Sequence, residues 1–148
     1  LLGFAGWLYA RDKDRSEYKR AYYHLVSGMT ITLLIYELWP NRQDLQPASY
    51  PRDNLFTEVV RRLQTFDSPS NVCPSLHVYT TLCVNDALQT SALLKHPELV
   101  RPASWVLTGL ISASTCFLKQ HSVVDGIAAA GLFGLVKVGW RFRPGHKV

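Results

Sequence analysis

The sequence has few charged residues for its length. Lys, Arg, Asp and Glu make up 18% of the 148 residues, below the roughly 25% of an average soluble domain. The net charge is +5, but the basic residues form no stripe interleaved with aromatic residues, so the sequence does not predict nucleic-acid binding. Residues 1–148 show no signal-peptide pattern with a cleavage site and no internal repeat. The length allows one domain at most.

Cysteine is scarce as well. Cys73, Cys83 and Cys116 are an odd number without the spacing of a metal site. We expect them to be buried as small apolar side chains.

Apolar residues are gathered in blocks, and charges fall almost wholly between them. A run at residues 1–10 is followed by four full blocks, at residues 25–39, 77–94, 105–118 and 122–140. The third block is short enough to be a buried helix of a soluble protein. Taken together, the blocks predict an all-α fold, a polytopic transmembrane bundle of four full helices plus an N-terminal remnant. Residues 1–148 then form a single membrane-embedded domain whose first helix or helices we expect to be missing.

The basic residues indicate an orientation. If residues 11–20 are cytoplasmic, alternation through the blocks puts most Lys and Arg inside, as the positive-inside rule requires. The same alternation puts His77, His121 and Asp125 at the outer face. We therefore expect an integral membrane protein, in the plasma membrane, with this cluster facing outside.

The outer segment, residues 40–74, is rich in proline and contains an amphipathic pattern. Leu55, Phe56, Val59, Val60 and Leu63 recur at helical spacing. The pattern predicts a short helix that lies on the membrane or caps a site. A plain packing helix explains it equally well.

Two histidine motifs stand at the edges of apolar blocks. One is Pro-Ser-Leu-His, ending at His77, and the other is His-Ser-Val-Val-Asp, from His121 to Asp125. On a helix, His121 and Asp125 would stack one turn apart, so the carboxylate could fix the imidazole tautomer and leave the other nitrogen as a nucleophile or base. A structural His–Asp pair, or a charge at a helix N-terminus, is the alternative.

Three further residues belong to this candidate site. His77 on the same face gains a role as an acid, although a lone interfacial histidine is more often structural. Ser75 can cap the following helix or bind a phosphate. Lys119 adds a positive charge, or is an exposed interfacial lysine. Zinc binding by the two histidines and Asp125 is chemically possible, but nothing supplies a fourth ligand of known spacing, and no metal is predicted.

The motifs resemble those of the type 2 phosphatidic acid phosphatase superfamily, over about residues 25–140. The family's Pro-Ser-Gly-His motif corresponds to residues 74–77. Its third motif, Ser-Arg, five residues, His, three residues and Asp, corresponds to Ser114-Thr115, His121 and Asp125 with the spacing intact. Leu76 and the Lys-Gln-His run at residues 119–121 are most similar to the branch that includes inositol phosphorylceramide synthases and small bacterial members.

The resemblance implies a metal-independent membrane lipid phosphatase that hydrolyses a lipid phosphomonoester or pyrophosphate and needs no cofactor. By that resemblance His121 would form a phosphohistidine, Asp125 would orient it, and His77 would protonate the leaving group and then activate water. A lipid headgroup phosphotransferase and a catalytically inactive relative are the alternatives, and a soluble helical or metal-binding protein is a more distant one.

The sequence departs from the family pattern at its cations. The first motif, Lys, six residues and Arg-Pro, has its nearest match ending at Gln46-Pro47, with Trp39 at the lysine position, and Thr115 replaces the arginine of the third motif. Arg42, Arg52 and Lys119 lie on the predicted outer side, and we expect them to bind the substrate phosphate instead.

Overall fold

Six helices form the described part of the chain, which contains no strand. The structure is a computed structural model that describes residues 2–13, 15–43, 45, 50, 52, 54–66 and 70–142. The helices are α1 (Leu2–Arg11), α2 (Ser16–Leu38), α3 (Leu55–Phe66), α4 (Leu76–Thr90), α5 (Pro97–Phe117) and α6 (Val123–Arg141). The all-helical class that the sequence predicts is therefore confirmed.

Helices α2 and α5 begin earlier than the apolar blocks suggest. The first turns of α2 are polar, but Glu17, Lys19, Arg20 and Ala21 favour helix, so the helix extends well before residue 25. The carboxylate of Asp12 accepts a hydrogen bond from the backbone N–H of Tyr18 at 2.9 Å near the start of α2. Hydropathy located the apolar part of this helix and missed its charged beginning.

The start of α5 has a different cause. Pro97 is at the beginning of the helix, where its missing N–H costs no hydrogen bond, and Glu98 is in the first turn, where a negative charge is favourable. The expected loop before residue 105 is therefore mostly helical. It includes Pro102, inside the helix.

The core lies along α4, which packs against α2, α5 and α6. Tyr79 is completely buried, and its hydroxyl donates a hydrogen bond to the carbonyl of His24 on α2. The ring lies so close to Gly28 that a Cβ added there would be 1.8 Å from the ring carbon Cζ. Glycine at position 28 therefore permits the close approach of α2 to α4.

Two polar residues of α4 are buried: Asn85 faces α5, and Asp86 has its partners on α2 and α6. The hydroxyl of Ser104 donates to the side-chain oxygen of Asn85, which also accepts from Gln89 at 3.2 Å. Pairing in this network offsets the cost of burying these polar groups.

Many large apolar side chains point away from the core. They are exposed on α2, α5 and α6 at Leu33, Leu34, Trp105, Val106, Leu107, Leu110, Val123, Val124, Ile127 and Leu135. Among the described helices, one, Val123–Arg141, is long and apolar enough by its length and composition to cross a membrane, with a mean hydropathy of 1.5.

The amphipathic helix predicted between residues 55 and 63 is present as α3 (Leu55–Phe66). Its apolar face is not packed into the bundle, because Leu55, Phe56, Val59 and Leu63 are all exposed. The side-chain amide of Gln64 donates a hydrogen bond of 3.0 Å to the carbonyl of Leu118, just after α5. This contact places α3 at the end of the bundle that also holds residues 118–125.

Candidate active site

The site forms where the N-termini of α4 and α6 meet. The backbone N–H of Ser75, which caps α4, donates a hydrogen bond of 3.1 Å to the carbonyl of Asp125 in the first turn of α6. This bond joins the two histidine motifs directly, although they are far apart in the sequence.

His77 and His121 lie side by side. Nδ1 of His77 is 3.3 Å from Nε2 of His121, with ring centroids 5.5 Å apart and the rings inclined by 59°. His121 is only 7% exposed, whereas His77 is open to the surface. His121 is thus the buried histidine of the pair, and His77 beside it is accessible from the surface.

The turn before α6 fixes the position of His121. Its backbone N–H and that of Gln120 both donate to the carbonyl of Thr115, at 3.2 and 3.0 Å. His121 therefore lies two residues before Val123, where α6 begins, and not on the helix as the four-residue spacing suggests. Thr115 is itself buried, and its hydroxyl donates to the carbonyl of Ser112 at 2.9 Å. The position of the family arginine therefore holds an uncharged side chain bonded within α5, while its backbone carbonyl supports the turn.

Asp125 is 1% exposed and forms a capping box with Ser122. Its carboxylate accepts the backbone N–H of Ser122 at 2.7 Å. Nδ1 of His121 is 3.8 Å from the same carboxylate, which is close enough for electrostatic attraction but beyond ordinary hydrogen-bond length. The carboxylate thus faces Nδ1 and leaves Nε2 directed at His77.

Gln43 is a site residue that the sequence did not identify. Its side-chain amide nitrogen is 3.0 and 2.9 Å from the two carboxylate oxygens of Asp125 and 3.1 Å from the hydroxyl of Ser122. The Ser122-to-Asp125 spacing is a recognisable capping-box signal. Nothing local marks Gln43, because its partners lie about eighty residues away.

Asn41 positions Gln43 by joining two segments of the loop region. Its side-chain oxygen accepts the backbone N–H groups of Val72 and Cys73 at 2.8 and 2.9 Å, and its side-chain nitrogen donates to the carbonyl of Cys73 at 2.9 Å. Arg42 and Ser70 form an antiparallel bridge in the same place. The segment containing Gln43 is therefore attached to the segment that leads into α4.

Cys73 also adjoins the carboxylate. Burial raises the pKa of its thiol above the ordinary value, and the negative charge of Asp125 together with a hydrogen bond to it raises the pKa further. The thiol is only partly buried, whereas Cys83 is buried as the sequence predicts.

Ser75 is completely buried, and its hydroxyl accepts the backbone N–H of Val78 at 3.4 Å. Of its two predicted roles, the capping role is therefore present. The phosphate contact stays a prediction.

The predicted phosphate-binding cations lie at the surface. Lys119 and Arg52 are exposed, and within the described ranges their side chains make no hydrogen bond or ion pair. Lys119 has a left-handed backbone, with φ of 58°. Arg42 is exposed too, but directly precedes Gln43. Gln46-Pro47, the nearest match to the first family motif, lies outside the described residues.

No three or more His, Cys, Asp or Glu side chains in the described ranges are grouped so that they could hold a metal ion. The contacts described above define the site as a histidine pair with one carboxylate next to the buried His121. Such a group can supply a nucleophile, an acid or base, and a fixed negative charge.

Comparison with known families identifies the class of protein. The family model of the PAP2 superfamily matches residues 1–138, so the chain belongs to this superfamily. Its members are generally phosphatases and are usually associated with membranes. Neither the curated proteins nor the solved structures contain a significant match to the chain.

Proposed function

We propose that the chain is a membrane lipid phosphatase that works through a phosphohistidine on His121. The observation that carries this proposal is the arrangement of three side chains, in which Nε2 of His121 faces His77 at 3.3 Å while Nδ1 faces Asp125 at 3.8 Å. A carboxylate beside Nδ1 favours a proton there, which leaves the lone pair of Nε2 available for attack.

The reaction would take two displacements. Nε2 of His121 attacks phosphorus, the bond from phosphorus to the ester or pyrophosphate oxygen breaks, and His77 gives its proton to the departing oxygen. Water then attacks the phosphohistidine, His77 takes a proton from that water, and the N–P bond breaks to release inorganic phosphate. Asp125 stabilises the positive charge that develops on the His121 ring in the first step.

The case for a lipid substrate rests on the surface around the site. Apolar side chains are exposed along α2, α5 and α6, as suits a bundle surrounded by lipid. Helix α3, at the same end as the histidine pair, exposes its own apolar face. A substrate with an apolar tail and a phosphate at the interface could reach His77 from this surface.

The proposed orientation rests on charge. The basic residues concentrate at one end of the bundle. They lie in the turn between α1 and α2, the first turns of α2, the loop before α5, the start of α5 and the end of α6: Arg11, Lys13, Arg15, Lys19, Arg20, Lys95, Arg101, Lys137 and Arg141. These elements lie at the opposite end from the histidine pair. The positive-inside rule supports a site that faces outward, and we propose that the membrane is the plasma membrane.

Phosphate release by the detergent-purified chain tests the proposal. The panel is a lipid phosphomonoester, a lipid pyrophosphate and each of these with an acceptor alcohol. We expect His121→Ala to lower the rate about a thousandfold or more, while His96→Ala, an exposed histidine on the opposite end, leaves it unchanged.

The acceptor arm separates the two enzyme activities. Product that forms only when the alcohol is present would show that the chain is a phosphotransferase and not a phosphatase. Leu76 and residues 119–121 resemble a branch of the family that includes such synthases. Equal rates for the two histidine variants would reject His121 as the nucleophile. If folded protein forms no product, the chain is better described as a catalytically inactive relative. The exposed side chains of Lys119 and Arg52, which make no hydrogen bond or ion pair within the described ranges, favour that alternative.

A further inference from the structure

A second polar cluster lies at the end of the bundle opposite the histidine pair. The beginning of α2 and the ends of α4 and α6 enclose an open cavity of about 520 Å³ there. On α6, Lys137 in its wall comes twelve residues after Asp125, which is about 18 Å along the helix axis. The cavity is therefore separate from the candidate active site.

The walls of the cavity carry more positive than negative charge. Four cationic side chains line it, from Lys19, Arg20, Lys137 and Arg141, against the two carboxylates of Glu17 and Asp86.

Both carboxylates are already engaged within the protein. Asp86 accepts a hydrogen bond from Lys137 and lies 3.6 Å from Nδ1 of His24. Glu17 accepts the backbone N–H of Ala92 at 2.9 Å with Oε1, whereas its Oε2 is buried without a hydrogen-bond partner among the described residues. In the described part of the chain, Lys19 and Arg141 form no ion pair, so two cations remain to attract an anion from outside.

Two buried nitrogen atoms without a hydrogen-bond partner also line the cavity. His24 is 2% exposed, and its Nε2 has no hydrogen-bond partner among the described residues. The same is true of Nε of Arg20, whose guanidinium otherwise donates to the hydroxyl of Thr90. Buried polar atoms are nearly always hydrogen-bonded. A phosphate in the cavity would accept a hydrogen bond from Nε of Arg20, and from Nε2 of His24 when that ring carries a proton on both nitrogens.

We propose that this cavity binds the phosphate of an anionic lipid headgroup, in the membrane leaflet opposite the histidine pair. Arginine and lysine together recognise phosphate well, by forked hydrogen bonds and by charge. The choice of a lipid over a free phosphate rests on the proposed membrane placement, since the cytoplasmic leaflet is the one rich in anionic lipids. The cavity itself does not depend on the chemistry assigned to His121.

Native mass spectrometry of the detergent-solubilised chain tests the proposal with phosphatidylglycerol, phosphatidylcholine and inorganic phosphate as probes. Phosphatidylglycerol is a phosphodiester, so it is not the kind of ester that the candidate active site is proposed to hydrolyse. We expect it to bind in preference to phosphatidylcholine. The variant Lys19→Gln/Arg141→Gln should weaken its binding about tenfold or more.

The matched control is Lys13→Gln/Lys95→Gln, which removes the same charge from exposed residues at the same end but outside the cavity walls. It should leave phosphatidylglycerol binding unchanged. Equal weakening by both double variants would overturn the proposal in favour of general surface attraction, as would equal binding of the two lipids. If the cavity binds inorganic phosphate but not phosphatidylglycerol, its ligand is a free phosphate and not a lipid headgroup, and the proposal is wrong.

Lipid hydrolysis is measured on the same preparations. We expect Lys19→Gln/Arg141→Gln to retain it, because both residues lie at the far end from His121. If the double variant loses phosphatidylglycerol binding but keeps hydrolysis, the cavity proposal is supported independently of the active site. If the unmodified chain binds the lipid but hydrolyses nothing, only the proposed phosphatase activity fails.

Discussion

The side-chain amide of Gln43 contacts both carboxylate oxygens of Asp125, at 3.0 and 2.9 Å. The amide belongs to the loop after α2 and the carboxylate to the first turn of α6. Asp125 in turn lies 3.8 Å from Nδ1 of His121. Gln43 and the backbone N–H of Ser122 together therefore fix the direction in which the carboxylate faces, and with it the electrostatic surroundings of Nδ1 of His121.

We expect Gln43→Ala to reduce both stability and turnover. A hydrogen bond to a buried charge contributes roughly 1.5–3 kcal/mol, so chemical denaturation should detect a loss of about that size. A misplaced Asp125 should lower kcat more than it raises KM, since it acts on His121 and not on the lipid. Gln43→Glu places two carboxylates together and should be worse than alanine, and an equal or milder effect would contradict the assigned contact.

Replacement of Gly28 tests the packing of α2 on α4. An added methyl group at this position would overlap the buried ring of Tyr79, and overpacking of this kind costs about 1–3 kcal/mol. Alanine otherwise favours helix, so an exposed glycine gives the matched control: Gly134→Ala meets nothing within 4 Å. Thermal unfolding should show a loss for Gly28→Ala and none for Gly134→Ala. A gain at both positions would disprove the close approach.

Alkylation of Cys73 reports on the carboxylate next to it. Only the thiolate reacts, and burial and Asp125 raise the pKa of this thiol, so the native thiol stays protonated at pH values where the unfolded chain already reacts. The rate of labelling by iodoacetamide should therefore rise at a higher pH in the native protein than in urea. Asp125→Asn should move the native profile to lower pH. Profiles that coincide would show that the thiol does not sense Asp125.

The exposed face of α3 should hold lipid substrates near the site. Leu55→Ser/Phe56→Ser removes two exposed apolar side chains that are not members of the hydrophobic core cluster. We expect a higher KM for long-chain lipid phosphates and an unchanged rate with a short, soluble phosphate ester. Leu33→Ser/Leu34→Ser, on the outward face of α2, is the control for general loss of apolar surface. An equal rise in KM in both variants would remove the special role of α3.

Short-range patterns in the sequence predicted most of the helices and identified the two histidine motifs as the candidate site. Amphipathic spacing located α3, and the apolar blocks located parts of α2, α4, α5 and α6, because burial and helix periodicity leave local traces. The charged first turns of α2 left no apolar signal, so the predicted helix was too short. Pro97 is a helix-start signal that hydropathy alone does not use.

Long-range contacts explain what the sequence could not predict. The meeting of His77 with His121 was expected from the topology, but the roles of Gln43 and Asn41 depend on loops that approach each other only in the folded chain. The tight contact of Gly28 with Tyr79 likewise depends on how two helices cross. His121 was placed on α6 by its spacing from Asp125, whereas the capping box at Ser122 starts the helix after it.

The most direct test of the account is to trap the phosphorylated protein. The full chain is mixed with a lipid phosphate labelled at phosphorus, quenched rapidly in alkali, and mapped by peptide mass spectrometry. We expect a single phosphoryl group on His121, stable in alkali and lost in acid. With a nitrophenyl phosphate, whose leaving group needs no proton, His77→Ala should still form this adduct and release phosphate from it slowly. A phosphoryl group on any other residue would contradict the assignment of His121. So would substrate turnover by both the native protein and His77→Ala with no phosphoryl group trapped on either protein.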